Sequence, residues 1–592
     1  MTQFSGNVHA ALEATCRDHG GRTALTFLAS GEPGAARVEV TYTQLLAGIA
    51  QAANLFRARG IGRRDAVAIL LPSLVDTQLV LWGAEAAGIA FPVNPLLQVD
   101  EIAALIQAAG AKVLVAFGPA PGIDIWEKAL KLRDRVDGIT TLVKVGGGPV
   151  ETPDVVDFAA ARSAMAPTLA FADRAAADDE AAYFHTGGTT GSPKLVIHTH
   201  RNQLAAAYGV AAGIELTPDD AVTNGLPMFH VGGTIISALA FLLVGARVVL
   251  LSPSGFRNPS IAANYWRIVE ETGATLVGGV PTALAAVGAV DPAGHDLSAV
   301  RLALCGGAST PKVVAQRIEQ ITGKPLREVY GMTETAGAIC IDPISAPRVL
   351  GSAGLPIPFC RVEARAVLAD GAVGDTCPPG VAGVIVVFGP NVTPGYKNKA
   401  QNRGLFTADG WLITGDLGFV DGAGRVFITG RAKDLIIRGG HNIDPAIIEE
   451  CLLAHPGVRD AAAVGMPDGY AGEVPVAYVV LKPDRADAET ALLAFAAERI
   501  AERPALPKRI IVVDQLPLTP VGKVFKPALR LDCAERLFRE VLAGEALDMI
   551  TVQQDAQRGL VIQLAAAPDL SLQSRVATRL QNYLVTVDWT EA

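Results

Sequence analysis

The chain has 592 residues, half of them apolar and 18% charged, with a net charge of −9. That length exceeds one hydrophobic core and implies about two to four domains. An acidic balance without a long basic run excludes a nucleic-acid surface, and seven scattered cysteines with no C-x-x-C pair exclude a disulfide framework or a zinc ribbon.

The opening MTQFSGNVHAALEATCRDHG lacks a basic start followed by an apolar block, so no signal peptide is expected. The most apolar run, 235–251, is broken by Gly245 and Arg247 and is shorter than a membrane span; it reads as a buried helix followed by a strand. A cytoplasmic protein without an integral membrane segment is expected.

Residues 40–62 place Thr43 to cap a helix, with apolar positions at Leu45, Leu46, Ile49, Ala53 and Phe56 and Gly60 at its end. DAVAILLPS then reads as a buried strand, and the segments 79–95 and 101–117 each repeat helix then strand. Alternation of this kind predicts an α/β fold with doubly wound, mainly parallel sheets. Residues 350–430 shift to turns and β-branched residues, which predicts a smaller β-rich subdomain. From Lys433 the pattern predicts a compact α+β domain. The tail, LDMITVQQ, LVIQLAA, SRVATRLQNYL and VTVDW, reads as strand, strand, helix, strand. The expected domains are 1–432, 433–535 and 536–592.

The densest motif is YFHTGGTTGSPK at 183–194, followed by an apolar strand-like LVIH. Glycines let bare N–H groups approach an anion, hydroxyls add donors, and Lys194 adds a compact charge. Together they suit a polyphosphate. The run is not a P-loop, because Pro193 precedes the lysine and Leu195 follows it. Standing alone, it fits a flexible Gly/Thr surface loop equally well.

Further motifs follow in order: VYGMTET (329–335), WLITGDLG (411–418), GRAKDLIIRGG (430–440) and LPLTPVGK (516–523). Together with the loop, over about residues 20–530, the chain resembles the adenylate-forming superfamily and in particular its acyl-CoA synthetases and fatty-acid–CoA ligases. The resemblance implies ATP, Mg²⁺ and CoA, with a carboxylate attacking the α-phosphate to give acyl-AMP before transfer to a thiol.

It also implies site residues. Thr186, Gly187, Gly188, Thr189, Thr190, Gly191 and Lys194 would hold the outer phosphates, with Gly187 and Leu195 departing from the commonest pattern. Gly306, Gly307 and Ala308 would form the adenine turn. Tyr330, Gly331, Met332, Thr333 and Glu334 would face the nucleotide, with Glu334 on Mg²⁺. Asp416 would accept from the ribose hydroxyls beside Arg431. Lys523, with Glu334 and Thr186, would be catalytic. Lys433 would be the hinge of a small domain that withdraws Lys523 and presents Arg438, Gly439 and Gly440 to CoA.

The acid would lie among His230, Gly232, Gly233, Gly278, Gly279, Thr335 and Ala336. His230 fits a carboxylate gate and a satisfied core histidine equally well. His198 and His200 alternate along a strand and are assigned nothing, because a lone H-x-H is not a metal site. The small apolar lining, with no charge to pair an amino group, predicts a fatty, cyclic or aryl acid. The alternatives are a stand-alone ligase loading a carrier protein, or a nucleotide-binding regulator. Retention of Lys523, Glu334 and Asp416 argues against the regulator. A homo-oligomer is left open, with the tail as one contact.

Overall fold

The computed structural model describes residues 6–149, 154–186, 194–292, 294–368, 372–431, 433–439, 441–483, 485, 487–520, 522–555, 558–566 and 569–590. Five sheets organise them.

The first βα repeats build a seven-stranded sheet in the order Val155–Asp157, Thr141–Val145, Ala111–Phe117, Ala66–Leu70, Ile89–Pro92, Glu180–Thr186, Lys194–Thr199. All its pairings are parallel except the last, an antiparallel pair with Thr186 opposite Lys194. The central strands Ala66–Leu70 and Ile89–Pro92 are buried on both faces, which is why they read as continuous apolar runs. Helix Tyr42–Ala58 is capped by Thr41 and not by Thr43: the Thr41 hydroxyl accepts from the Gln44 N–H while the Gln44 side chain returns to the Thr41 N–H. The Thr43 hydroxyl is engaged elsewhere, donating to the Gly20 carbonyl.

The second large sheet has nine strands. Its parallel centre runs Leu326–Tyr330, Leu302–Gly306, Leu276–Gly279, Ala221–Asn224, Arg247–Leu251, Thr23–Leu28. The apolar run at 235–251 is the predicted helix and strand, but the helix begins as an eight-residue π-helix, Gly232–Leu239. The β-rich region is a five-stranded antiparallel sheet holding Leu412–Val420 beside Val426–Arg431.

Beyond residue 433 lie a further five-stranded sheet and helices Pro445–Leu453 and Glu489–Arg499. The tail folds in the predicted order: a hairpin of Met549–Asp555 and Gly559–Ala565, helix Leu570–Leu580, then Val585–Thr590 parallel to the second strand. Helix Lys526–Val541 crosses the expected 535/536 boundary. Leu529 and Cys533 enter the small-domain core, whereas Ala534 and Phe538 enter the tail core.

Candidate active site

Three parallel strands end side by side at Gly279, Gly306 and Tyr330. A ligand crevice at the carboxyl ends of such strands is the general expectation for open α/β sheets. Gly306 leaves no room for a side chain, since a Cβ there would meet the Val329 carbonyl at 2.9 Å. Gly307 turns the chain at φ +90°, and Ala308 follows it.

After Tyr330 the chain makes a tight turn. A Cβ on Gly331 would come within 2.0 Å of the Gly337 carbonyl, so the backbone doubles back on itself there. Thr333–Thr335 forms one 3₁₀ turn, and Ala336 is left-handed at φ +51°. The Thr335 hydroxyl donates to the Met332 carbonyl; Thr335 and Ala336 are fully buried. The His198 ring lies 2.7 Å from the Thr333 carbonyl, so this unassigned histidine holds the turn from the neighbouring sheet.

Glu334 is buried, and its Oε1 accepts a 2.7 Å bond from the Tyr396 hydroxyl. Lys194 places its Nζ 4.8 Å from the centre of the same tyrosine ring. Tyr396 therefore links the lysine after the Gly/Thr loop to the predicted metal carboxylate. The sequence reading missed it; the only local signal is the turn-forming Pro394–Gly395 before an aromatic residue. Thr186 and Lys194 face each other at the loop's base. Gly187, Gly188, Thr189, Thr190 and Gly191 lie outside the described residues, as does Gly440.

Asp416 and Arg431 occupy paired positions on adjacent strands, and the Arg431 Nε stands 3.1 Å from Asp416 Oδ1. The Tyr330 hydroxyl donates to Asp416 Oδ2 at 2.6 Å. Burial raises the Asp416 carboxyl above its ordinary value, opposed by Arg431 and the Tyr330 bond. The Tyr330 phenol is raised by burial and then by Asp416. The Tyr330 ring and the Asp416 carboxylate are thus fixed to each other by a single bond.

Lys523 arrives from the other end of the chain. A Cβ on Gly307 would lie 3.1 Å from Lys523 Cε and 3.6 Å from its Nζ, so the lysine lies against the 306–308 turn. Burial and then the Arg431 charge lower its pKa to about 8, with Asp416 opposing. Its loop is a compact turn: Lys523 N–H donates to the Thr519 hydroxyl at 3.0 Å and Thr519 N–H to the Lys523 carbonyl at 2.6 Å.

Two histidines line the same region. His230 Nδ1 accepts from the Gly232 N–H at 3.1 Å, and burial, Lys523 and His185 lower its pKa to about 3. His185 Nε2 accepts from the Asn94 N–H at 3.1 Å, its ring stacks on Phe229, and burial lowers it to about 4. Both imidazoles are neutral at pH 7. Gly233 is enclosed, since a Cβ there would strike the Pro227 carbonyl at 2.5 Å; at Gly279 a Cβ would meet Phe256 and Ala283 at 3.3 Å. Gly278 leans on the Leu304 carbonyl.

Lys433 is an exposed turn residue two positions beyond Arg431. Arg438, with Tyr470, Arg503 and Lys508, lines a cleft of about 480 Å³ on the small domain. Arg438 Nη1 donates to the Pro504 carbonyl, and Gly439, at φ +55°, donates its N–H to the Ala471 carbonyl. Among the described residues, no group of three or more His, Cys, Asp or Glu side chains could hold a metal, and no helix is long and apolar enough to cross a membrane.

Residues 12–397 match the AMP-binding enzyme family and residues 447–523 match the AMP-binding enzyme C-terminal domain. The chain is 36% identical over 570 residues to the marinolic acid–CoA ligase of Pseudoalteromonas sp. (strain SANK 73390), covering 95% of this chain and 87% of that one. It superposes on ATP-bound MatB from Rhodopseudomonas palustris with a TM-score of 0.77 and 28% identity, covering 90% of this chain and 99% of that one. The o-succinylbenzoate CoA synthetase MenE from Bacillus subtilis, in complex with its acyl-adenylate intermediate, gives 0.72 and 27%, covering 88% and 97%.

Proposed function

The chain belongs to the AMP-binding enzyme family, and from that premise we propose how its residues divide the two half-reactions of an acid–CoA ligase. The enzyme activates a carboxylic acid with ATP as acyl-AMP, releasing pyrophosphate, and transfers the acyl group to CoA. The observation that carries the assignment of roles is Lys523 lying against Gly307 beside Asp416 and Arg431.

In the first half-reaction, Tyr330 and the 306–308 turn bind adenine, and Asp416 accepts from the ribose hydroxyls. Thr186 and Lys194 bind the outer phosphates at the base of the Gly/Thr loop. Attack by a carboxylate on a phosphate brings like charges together, so a cation at the α-phosphate lowers the barrier. Lys523 supplies it. The neutral His230 and His185 add no charge that would repel it.

Glu334 fits a hard cation: it is a buried carboxylate with one oxygen fixed by Tyr396, and a magnesium ion commonly takes one or two carboxylates plus phosphate oxygens. When bound, Mg²⁺ would offset charge on the β- and γ-phosphates.

For the second half-reaction the small domain, 433–535, rotates about Lys433 and withdraws Lys523. The cleft at Arg438 then serves CoA. Arg438, Arg503 and Lys508 offer three cations against the one carboxylate of Asp468, which suits the phosphates of the nucleotide end. The acid is fatty, cyclic or aryl, an assignment supported by the glycine-lined wall at 278–279 next to Phe256 and by the absence of a carboxylate among the acid-site residues named above. The scattered cysteines support a cytoplasmic location.

The test is a carboxylic-acid panel with ATP and Mg²⁺, following pyrophosphate and AMP with and without CoA. CoA-dependent AMP release with one class of acid is expected. Single-turnover pyrophosphate release with no response to CoA would replace CoA with a carrier protein. Silence with every acid would overturn the substrate class.

A further inference from the structure

The Lys523 loop is gripped by a side chain from the large region. The Thr282 hydroxyl, at the start of helix Pro281–Gly288, donates to the Gly522 carbonyl at 2.7 Å across 240 positions of sequence. Gly522 sits at φ +82°, and a Cβ there would lie 3.1 Å from Thr282 Oγ1 and 3.4 Å from Val280. Glycine at this point meets both the left-handed backbone and the close approach. The next residue is Lys523, whose stem lies against Gly307. The loop is therefore seated between two adjacent strand ends of the large sheet, with one hydrogen bond fixing its depth.

We propose that Thr282 is a positioning residue for the acyl-adenylate half-reaction, registering Lys523 over the α-phosphate. The inference rests on the domain rotation and lysine role proposed above. Thr282 and Gly522 lie on opposite sides of that rotation, so the bond exists only while Lys523 is in the site. A neutral hydroxyl–carbonyl bond suits a contact made and broken in every cycle, because it orients the loop yet breaks at small cost when the small domain turns. The Lys312–Glu450 ion pair, at 3.2 Å, also joins the two sides, but both partners are largely exposed and far weaker at fixing a loop.

The test uses the full-length enzyme and measures its two half-reactions separately. Single-turnover pyrophosphate release at saturating ATP and acid reports adenylation; thioester formation from supplied acyl-AMP and CoA reports the second step. Wild-type enzyme performing both secures the underlying reading, and its failure in either would overturn that reading first. Thr282→Val keeps the shape and removes the donor; it is expected to slow adenylation about two- to tenfold and leave thioester formation unchanged or faster. Thr282→Ser keeps the donor and is expected to restore adenylation. Unchanged adenylation in Thr282→Val would overturn the proposal. Equal slowing of both steps would reduce Thr282 to packing, as would a serine variant as slow as the valine one.

Discussion

Lys523 should make adenylation sensitive to alkaline pH. Its pKa is lowered to about 8, first by burial and then by Arg431. The seated side chain is mostly a cation at pH 7, and at pH 9 only about one-tenth of the enzyme retains that charge. The kcat/KM for ATP in the adenylation half-reaction, which reports the free enzyme, should fall about tenfold per unit above pH 8. The sign also runs through the domain rotation proposed for the second half-reaction. A lysine returned to water regains its ordinary value of 10.5, so the seated orientation binds the proton more weakly. Seating the cation without ATP costs about 3 kcal/mol below pH 8, and this cost vanishes as pH rises through 10.5. The phosphates of ATP offset it. Pyrophosphate release in single turnovers from about pH 6.5 to 9.5 measures the profile. Lys523→Arg carries a charge that persists throughout and should remove the alkaline limb, at a lower plateau because a planar fork replaces a point charge. Glu85 also titrates near 8 and is the competing source of such a limb, which Glu85→Gln would remove. A level wild-type profile up to about pH 9.5, or an unchanged limb in Lys523→Arg, would refute the reasoning.

Tyr396→Phe removes the donor to buried Glu334 and should lower kcat/KM for ATP about tenfold to a hundredfold, with a raised Mg²⁺ requirement; an unaltered Mg²⁺ titration would remove the link. Lys433→Pro should slow thioester formation while sparing pyrophosphate release, and equal rates in wild type and variant would discard the hinge. Burial pushes the Glu85 carboxyl up to about 8 from an ordinary 4.5. The folded chain thus holds that proton more tightly, and stability should fall by at most about 1.4 kcal/mol per pH unit as pH rises from 4.5 through 8. Urea midpoints at about pH 6 and 8.5 should converge in Glu85→Gln, and an unchanged gap would reject the assignment. Deleting residues 545–592 uncovers Phe538 and Leu542, each worth about 1.5–3 kcal/mol of burial, so thermal unfolding should begin several degrees lower. An unmoved transition would show that the tail contributes nothing to the fold.

Local chemistry made much of this protein legible before any coordinates. Period and turn residues gave the βα alternation, the β-rich region and the strand–strand–helix–strand tail, because hydrophobic spacing reports which face of an element is buried. The glycine-rich turns and the order of the motifs pointed to Gly306, Tyr330, Asp416 and Lys523, and the structure gathers these four around one set of strand ends. Tertiary structure alone decided the rest. Thr41 and Thr43 are equally good caps in sequence; the Gly20 carbonyl, brought in by the fold, takes the Thr43 hydroxyl. Tyr396 reaches Glu334 across 62 positions and Thr282 reaches Gly522 across 240. His185 and His230 are neutral through burial, not through their neighbours in sequence. Each of these depends on which strands lie adjacent and how the small domain docks, and a hydrogen bond of about 3 Å between distant segments leaves no periodic trace in the chain that forms it.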